Sequence, residues 1–137
     1  MNSNRLIIVL FASLFASCGE EANYVWKSAQ VTASAYNSTP AQTDGLPTLA
    51  AWGDTLSPDM KAIAVSRDLV AMGLDRNTRV TIEGFEGVFL VKDKMGSRWK
   101  KRIDIYMGDD IKKAREWGVK EVEIQFRIHK DSTKTIQ

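Results

Sequence analysis

Very little in this chain can hold a metal through sulfur or imidazole, or close a disulfide. It has one cysteine, Cys18, and one histidine, His129, in 137 residues. A disulfide framework within the chain, a thiolate zinc site and a cluster of histidine ligands are therefore all excluded. Proline is also scarce: Pro40, Pro47 and Pro58 fall in one stretch, leaving the remainder free to form strands and helices. The longest apolar run, residues 6–16, is too short to span a bilayer. Repeats, low-complexity tracts, phosphate-cradling glycine loops and a serine nucleophile elbow are missing as well. Neither sign of charge dominates, since the formal charge is +2 and falls to about +1 once Arg5 is removed with the leader described below. Bulk charge thus selects no partner. What is present, 44% hydrophobic and 26% charged residues, is ordinary for one folded domain with a modest core.

Arg5 followed by apolar residues 6–16 fits a signal-peptide core. The stretch Leu14-Phe15-Ala16-Ser17-Cys18 resembles a bacterial lipobox, and the Glu20-Glu21 pair resembles a surface-export signal of Bacteroidota lipoproteins. Residues 1–17 are then expected to leave and Cys18 to carry acyl chains, each buried CH₂ contributing ~0.8 kcal/mol to anchoring. The expected setting is that of an exported lipoprotein, anchored at the outer membrane of a Gram-negative bacterium. An ordinary leader with its cysteine near the cut is the alternative reading.

Residues 18–27 read as a tether. Small and β-branched residues 28–36 predict a first strand ending in Tyr36. A Pro-, Thr- and Gly-rich loop follows over residues 38–59, and its Trp52 is either a cleft wall or a core plug. A second strand spans residues 60–66, with Ser66 placed to cap a short helix over 67–72 and Asp68 in that helix's first turn. Residues 78–83 and 88–91 have hairpin spacing. Residues 103–107 alternate, with Ile103 and Ile105 on one face and Arg102, Asp104 and Tyr106 on the other. A short helix over 109–118 has Ile111, Ala114 and Trp117 as its inner face. Residues 119–129 alternate again, and 130–137 form a polar tail. Strands without full-length helices between them predict a mainly β fold, a small closed six-stranded barrel, over residues 28–129.

Asp104 is an unusual residue for the middle of a strand. Asp93, eleven positions earlier, lies at the end of the preceding strand. A carboxylic acid held rigidly beside a ring and cations suits acid–base work on a sugar. A surface aspartate paired with Arg102 or Lys101 fits the same pattern.

Five blocks together are similar to the three-aspartate (3D) domain proteins, relatives of stationary-phase secretion proteins and of the membrane-bound lytic transglycosylase A barrel. They are V-T-A-S-A-Y-N at 31–37, A-I-A-V-S at 62–66, V-K-D at 91–93, K-R-I-D-I-Y-M-G at 101–108 and A-R-E-W-G at 114–118. The resemblance implies a double-psi β-barrel with a saccharide groove. It also implies cleavage between N-acetylmuramic acid and N-acetylglucosamine in peptidoglycan, giving a 1,6-anhydro product. Asp104 then matches the family's acid/base, and Asp93 matches a supporting aspartate in the groove. Ser66 stands where the family has its first aspartate, with Asp68 two residues on. Tyr36, Trp52, Ser66, Asp68, Trp99, Lys100 and Tyr106 are the expected substrate-binding residues. No cofactor and no metal are expected.

The basic turn over residues 94–102, with Trp99 in it, superficially suits nucleic acid. In an exported protein it reads instead as solvated surface, or as contacts to the acidic peptide stems of peptidoglycan. His129 reads as surface. The expected partners are peptidoglycan strands and, through Cys18, a membrane; nucleic acid is not among them, and the protein is expected to be a monomer. A barrel that grips carbohydrate without turning it over remains the alternative to an enzyme.

Overall fold

The computed structural model describes residues 21–38 and 49–133. The leader, Cys18, loop residues 39–48 with Pro40 and Pro47, and tail residues 134–137 lie outside it. Eight elements follow in order: β1 (Tyr24–Tyr36), β2 (Ala62–Val65), α1 (Arg67–Ala71), β3 (Arg79–Ile82), β4 (Phe89–Lys94), β5 (Arg102–Tyr106), α2 (Ile111–Trp117) and β6 (Lys120–His129). Short 3-10 turns precede β1 and follow β6. Among the described residues, no helix is long and apolar enough to cross a membrane.

The strands close into a barrel in the order β1-β5-β2-β4-β3-β6. The β1/β5 and β2/β4 pairs are parallel, and the other four are antiparallel. Advancing every strand number by three returns the same ring read backwards and exchanges the two parallel pairs. The chain is thus a mainly β, closed six-stranded barrel with a topological two-fold, the arrangement expected of a double-psi barrel. Closure leaves no unpaired edge among the six described strands.

Alternation decides which residues fill the interior. Val31 and Ala33 of β1, Ile63 and Val65 of β2, Ile103 and Ile105 of β5, and Ile124 and Phe126 of β6 are all buried in one core. Each such side chain contributes about 1.5–3 kcal/mol relative to exposure, Ala33 less.

Several boundaries differ from those read off the sequence. β1 starts at Tyr24, inside the expected tether, because ten residues of β6 are available to pair with it, from Tyr24↔His129 to Ala33↔Lys120. β4 runs on to Lys94, since β2 continues to pair it past Val91. Ile111 of α2 is exposed; only Ala114 and Trp117 turn inward, and the Trp117 indole N–H donates to the Ala33 carbonyl at 3.3 Å. Asp110 caps α2 by accepting the Lys113 N–H at 2.9 Å, and Gly118 closes it at φ 68°. Gly108 has φ 55°, and a Cβ there would lie 2.5 Å from the Pro58 carbonyl oxygen. Only glycine fits that crossing.

Candidate functional site

The outer face of the barrel carries one row of residues across four adjacent strands. Ser34 of β1 pairs with Asp104 of β5, Asp104 pairs with Ala64 of β2, and Ala64 pairs with Asp93 of β4. Paired residues share a face, so Ser34, Asp104, Ala64 and Asp93 project together. Tyr36 and Tyr106 form the next row in the same direction, their rings 5.3 Å apart.

Asp93 reaches this row through a bulge. Ile63 pairs with Val91, but the next residue of β2, Ala64, pairs with Asp93, so Lys92 is the extra residue. Strict alternation would have sent Asp93 inward with Phe89 and Val91. The bulge turns it outward, a common use of this irregularity.

The two aspartates end in different environments. Asp93 Oδ1 accepts the backbone N–H of Ala51 at 2.7 Å and of Lys94 at 2.8 Å. It therefore pins residues 49–56, a turn closed by the Leu49↔Thr55 bridge, against the barrel. Asp54 in the same turn forms a two-pronged pair with Arg76 at 2.9 Å. Ala50 and Leu56 bury against Ala62 and Tyr106, with Tyr36 and Met60 alongside. The outer face of β5 is thus roofed where it meets this turn.

Among the described residues, Asp104 has no such backbone donors. Its Oδ1 is buried without a hydrogen-bond partner, and so is the Tyr36 hydroxyl. Burial pushes the Asp104 carboxyl up to about 6, against the hydrogen bond from Ser34 and the Arg102 charge, with Asp93 adding to the rise. Burial raises Tyr36 as well, followed by the charges of Asp93 and Asp104 and by Tyr106, so it stays a protonated phenol. Arg102 does not pair with Asp104 in the manner of a surface ion pair. Its Nε–H donates to Ser34 Oγ at 3.3 Å, and its guanidinium lies 4.2 Å from the Trp99 ring centroid. Orphaned buried polar atoms are rare and often mark a place where a ligand or water belongs.

The structure distributes the remaining expected residues as follows. Tyr106 is buried, and its hydroxyl is bonded to Ser38. Trp52 is partly buried against the core, as a plug would be, and has Lys94 Nζ 4.9 Å over its ring. The Trp99 ring has the guanidinium groups of both Arg98 and Arg102 over it, 4.8 and 4.2 Å from its centroid. Ser66 is a correction: it occupies the N-cap position of α1, but its side chain makes no cap hydrogen bond. It is fully buried, accepting the Arg102 N–H at 3.0 Å and bonding Asp68, so no part of it is offered to a substrate. Asp68 accepts the Lys101 N–H at 2.8 Å and fastens the basic turn, where Lys101 has φ 45°. Burial raises the Asp68 carboxyl, but hydrogen bonds from Ser66 and from the Lys101, Asp68 and Leu69 backbones outweigh it and leave it low. Lys100 is exposed at that turn.

Ser34 is the member of the row that sequence reasoning missed. Its only advance signal is parity, two residues before Tyr36 on the same strand face. Among the described residues, no group of three or more His, Cys, Asp or Glu converges to hold a metal ion. A separate cleft of about 530 Å³ opens at the barrel end between Met60, Phe85, Phe89 and Met107, with Tyr106 as the wall it shares with the site.

No protein-family model matches the chain, and no curated protein matches it significantly. Among solved structures, the Streptomyces papain inhibitor superposes with a TM-score of 0.51 at 15% sequence identity, over 75% of this chain and 96% of that one. At that identity the likeness concerns the barrel alone.

Proposed function

We propose that this protein is a peptidoglycan lytic transglycosylase of the three-aspartate domain kind, exported and held at a membrane through Cys18. The observation that carries the reading is Asp104: a partly buried carboxyl, raised to about 6, with one oxygen unpartnered beside an unpartnered tyrosine hydroxyl. A general acid works best when its affinity for the proton lies near the working pH. Asp104 in its acid form protonates the glycosidic oxygen, and the bond from that oxygen to C1 of N-acetylmuramic acid breaks. The Asp104 carboxylate then takes the proton of the sugar's own C6 hydroxyl, whose oxygen bonds to C1. One carboxyl group serves both halves, so no second carboxylate is needed as a nucleophile. Tyr36, kept protonated, is a hydrogen-bond donor to the same sugar. Trp52 and Trp99 supply ring faces, and Asp93 supports the site by holding residues 49–56 in place.

A non-catalytic carbohydrate-binding barrel is the second reading. Ser66, in place of the family's first aspartate and fully committed to Arg102 and Asp68, favours it. The barrel itself argues for neither, since a neighbour named for inhibiting papain has a similar one. Incubation of the purified protein with sacculi separates the two. The enzyme releases soluble muropeptides, and Asp104→Asn stops the release without loss of fold. A binding barrel sediments with sacculi, yields no soluble product and is indifferent to Asp104→Asn.

A further inference from the structure

Asp104 must hold a proton in one half of the proposed reaction and lack it in the other, so its neighbours have to suit both forms. Among the described residues, the groups facing it are few. β1 contributes Ser34 and Tyr36, β5 contributes Arg102 and Tyr106, β4 contributes Asp93, and β2 contributes only Ala64. Asp93 has its Oδ1 taken by two backbone N–H groups and stands two strands away, about 9.6 Å in a flat sheet. Tyr106 is bonded to Ser38. Among the described residues this leaves Ser34, its register partner on β1, as the hydroxyl placed beside the Asp104 carboxyl.

We propose that Ser34 is a positioning residue that couples Arg102 to Asp104 and accommodates both protonation states of that carboxyl. The inference rests on the reading of Asp104 as an acid/base. Register puts the two residues side by side on parallel strands, Ser34↔Asp104, while Arg102 lies two residues earlier on the Asp104 strand and reaches back to Ser34 Oγ at 3.3 Å. A serine hydroxyl has one proton and two lone pairs. One lone pair takes the Arg102 Nε–H. Toward a carboxylate the hydroxyl donates; toward a protonated carboxyl it can rotate and accept with the second lone pair. Arg102 orients the oxygen in both cases and polarises the O–H bond, strengthening its donation to the anion. Alanine can do neither. Threonine keeps the hydroxyl and is at home in a strand.

The experiment is a carbon-13 NMR titration of the Asp104 carboxyl in the wild type, Ser34→Ala and Ser34→Thr, with thermal unfolding of each to confirm the fold. The wild-type midpoint is expected near 6. Ser34→Ala should raise it by about one unit, a tenfold tighter hold on the proton, and Ser34→Thr should return it toward the wild-type value. The pH profile of muropeptide release should move in parallel. A midpoint unchanged in Ser34→Ala overturns the inference whatever the activity does, because a hydroxyl that only ties β1 to β5 would lower the melting temperature and leave the titration alone. A shifted midpoint in a protein that releases nothing supports Ser34's role and counts against the transglycosylase reading instead.

Discussion

β5 and β6 have the same pattern in sequence and opposite fates on their outer faces. In each, isoleucines and their equivalents alternate with polar residues, and in each the inward set is buried. On β6 the outward residues Glu121, Glu123 and Gln125 are exposed. On β5 the outward residues Arg102 and Asp104 are partly buried and Tyr106 is fully so. The cause lies outside both strands. The turn over residues 49–56, held by Asp93 and Asp54, buries Ala50 and Leu56 against Tyr106 and Ala62, while Tyr36 on β1 comes alongside Asp104. Alternation specifies what faces the core; it does not say what covers the other side. A carboxylate on a covered face becomes a proton-holding group.

The largest expected effect on this comparison is in catalysis. Asp104→Asn should lower the rate of muropeptide release by about 10²–10⁴-fold, the usual worth of a general acid, whereas Glu123→Gln should leave it unchanged; a timed digestion of sacculi measures both. Next come the cores, where the two strands should be alike. Ile105→Ala and Ile124→Ala should each cost about 2–5 kcal/mol in urea unfolding, since both side chains are buried in the same interior.

Stability against pH should then distinguish the strands again. The Asp104 carboxyl sits above its unfolded value, so its contribution is complete below about pH 4 and is lost as pH rises through about 6. The loss should be roughly 2–3 kcal/mol, and Asp104→Asn should abolish that slope. Removing the acceptor that holds the roof, Asp93→Ala, should cost about 1–3 kcal/mol and speed amide exchange at Ala51 more than at β6 sites. Smallest of all, Gln125→Ala on the open face should change stability by no more than about 0.5 kcal/mol.

The strand count, the closed barrel and the inward residues of β5 and β6 could be read from the chain because period-2 alternation reports one-sided burial directly. The environment of Asp104 could not. Its contacts come from Ser34 and Tyr36, about seventy positions away and brought alongside by the parallel pairing of β1 with β5. Asp93 was hidden differently: its parity with Val91 points it inward, and only the bulge at Lys92 turns it out. Ser66 misled because serine before a helix reads as a cap, whereas here a strand partner, Arg102, claims the hydroxyl.

The central claim is that one carboxyl on the covered face of β5 performs both proton transfers, with the sugar's own hydroxyl in place of water. Digestion of sacculi in oxygen-18 water, followed by mass spectrometry of the released ends, tests it most directly. The account predicts ends lighter than hydrolysed ones by one water and free of oxygen-18. Incorporation of the label would mean hydrolysis, and an absence of released ends would mean a barrel that binds glycan without cutting it; either result would contradict the claim.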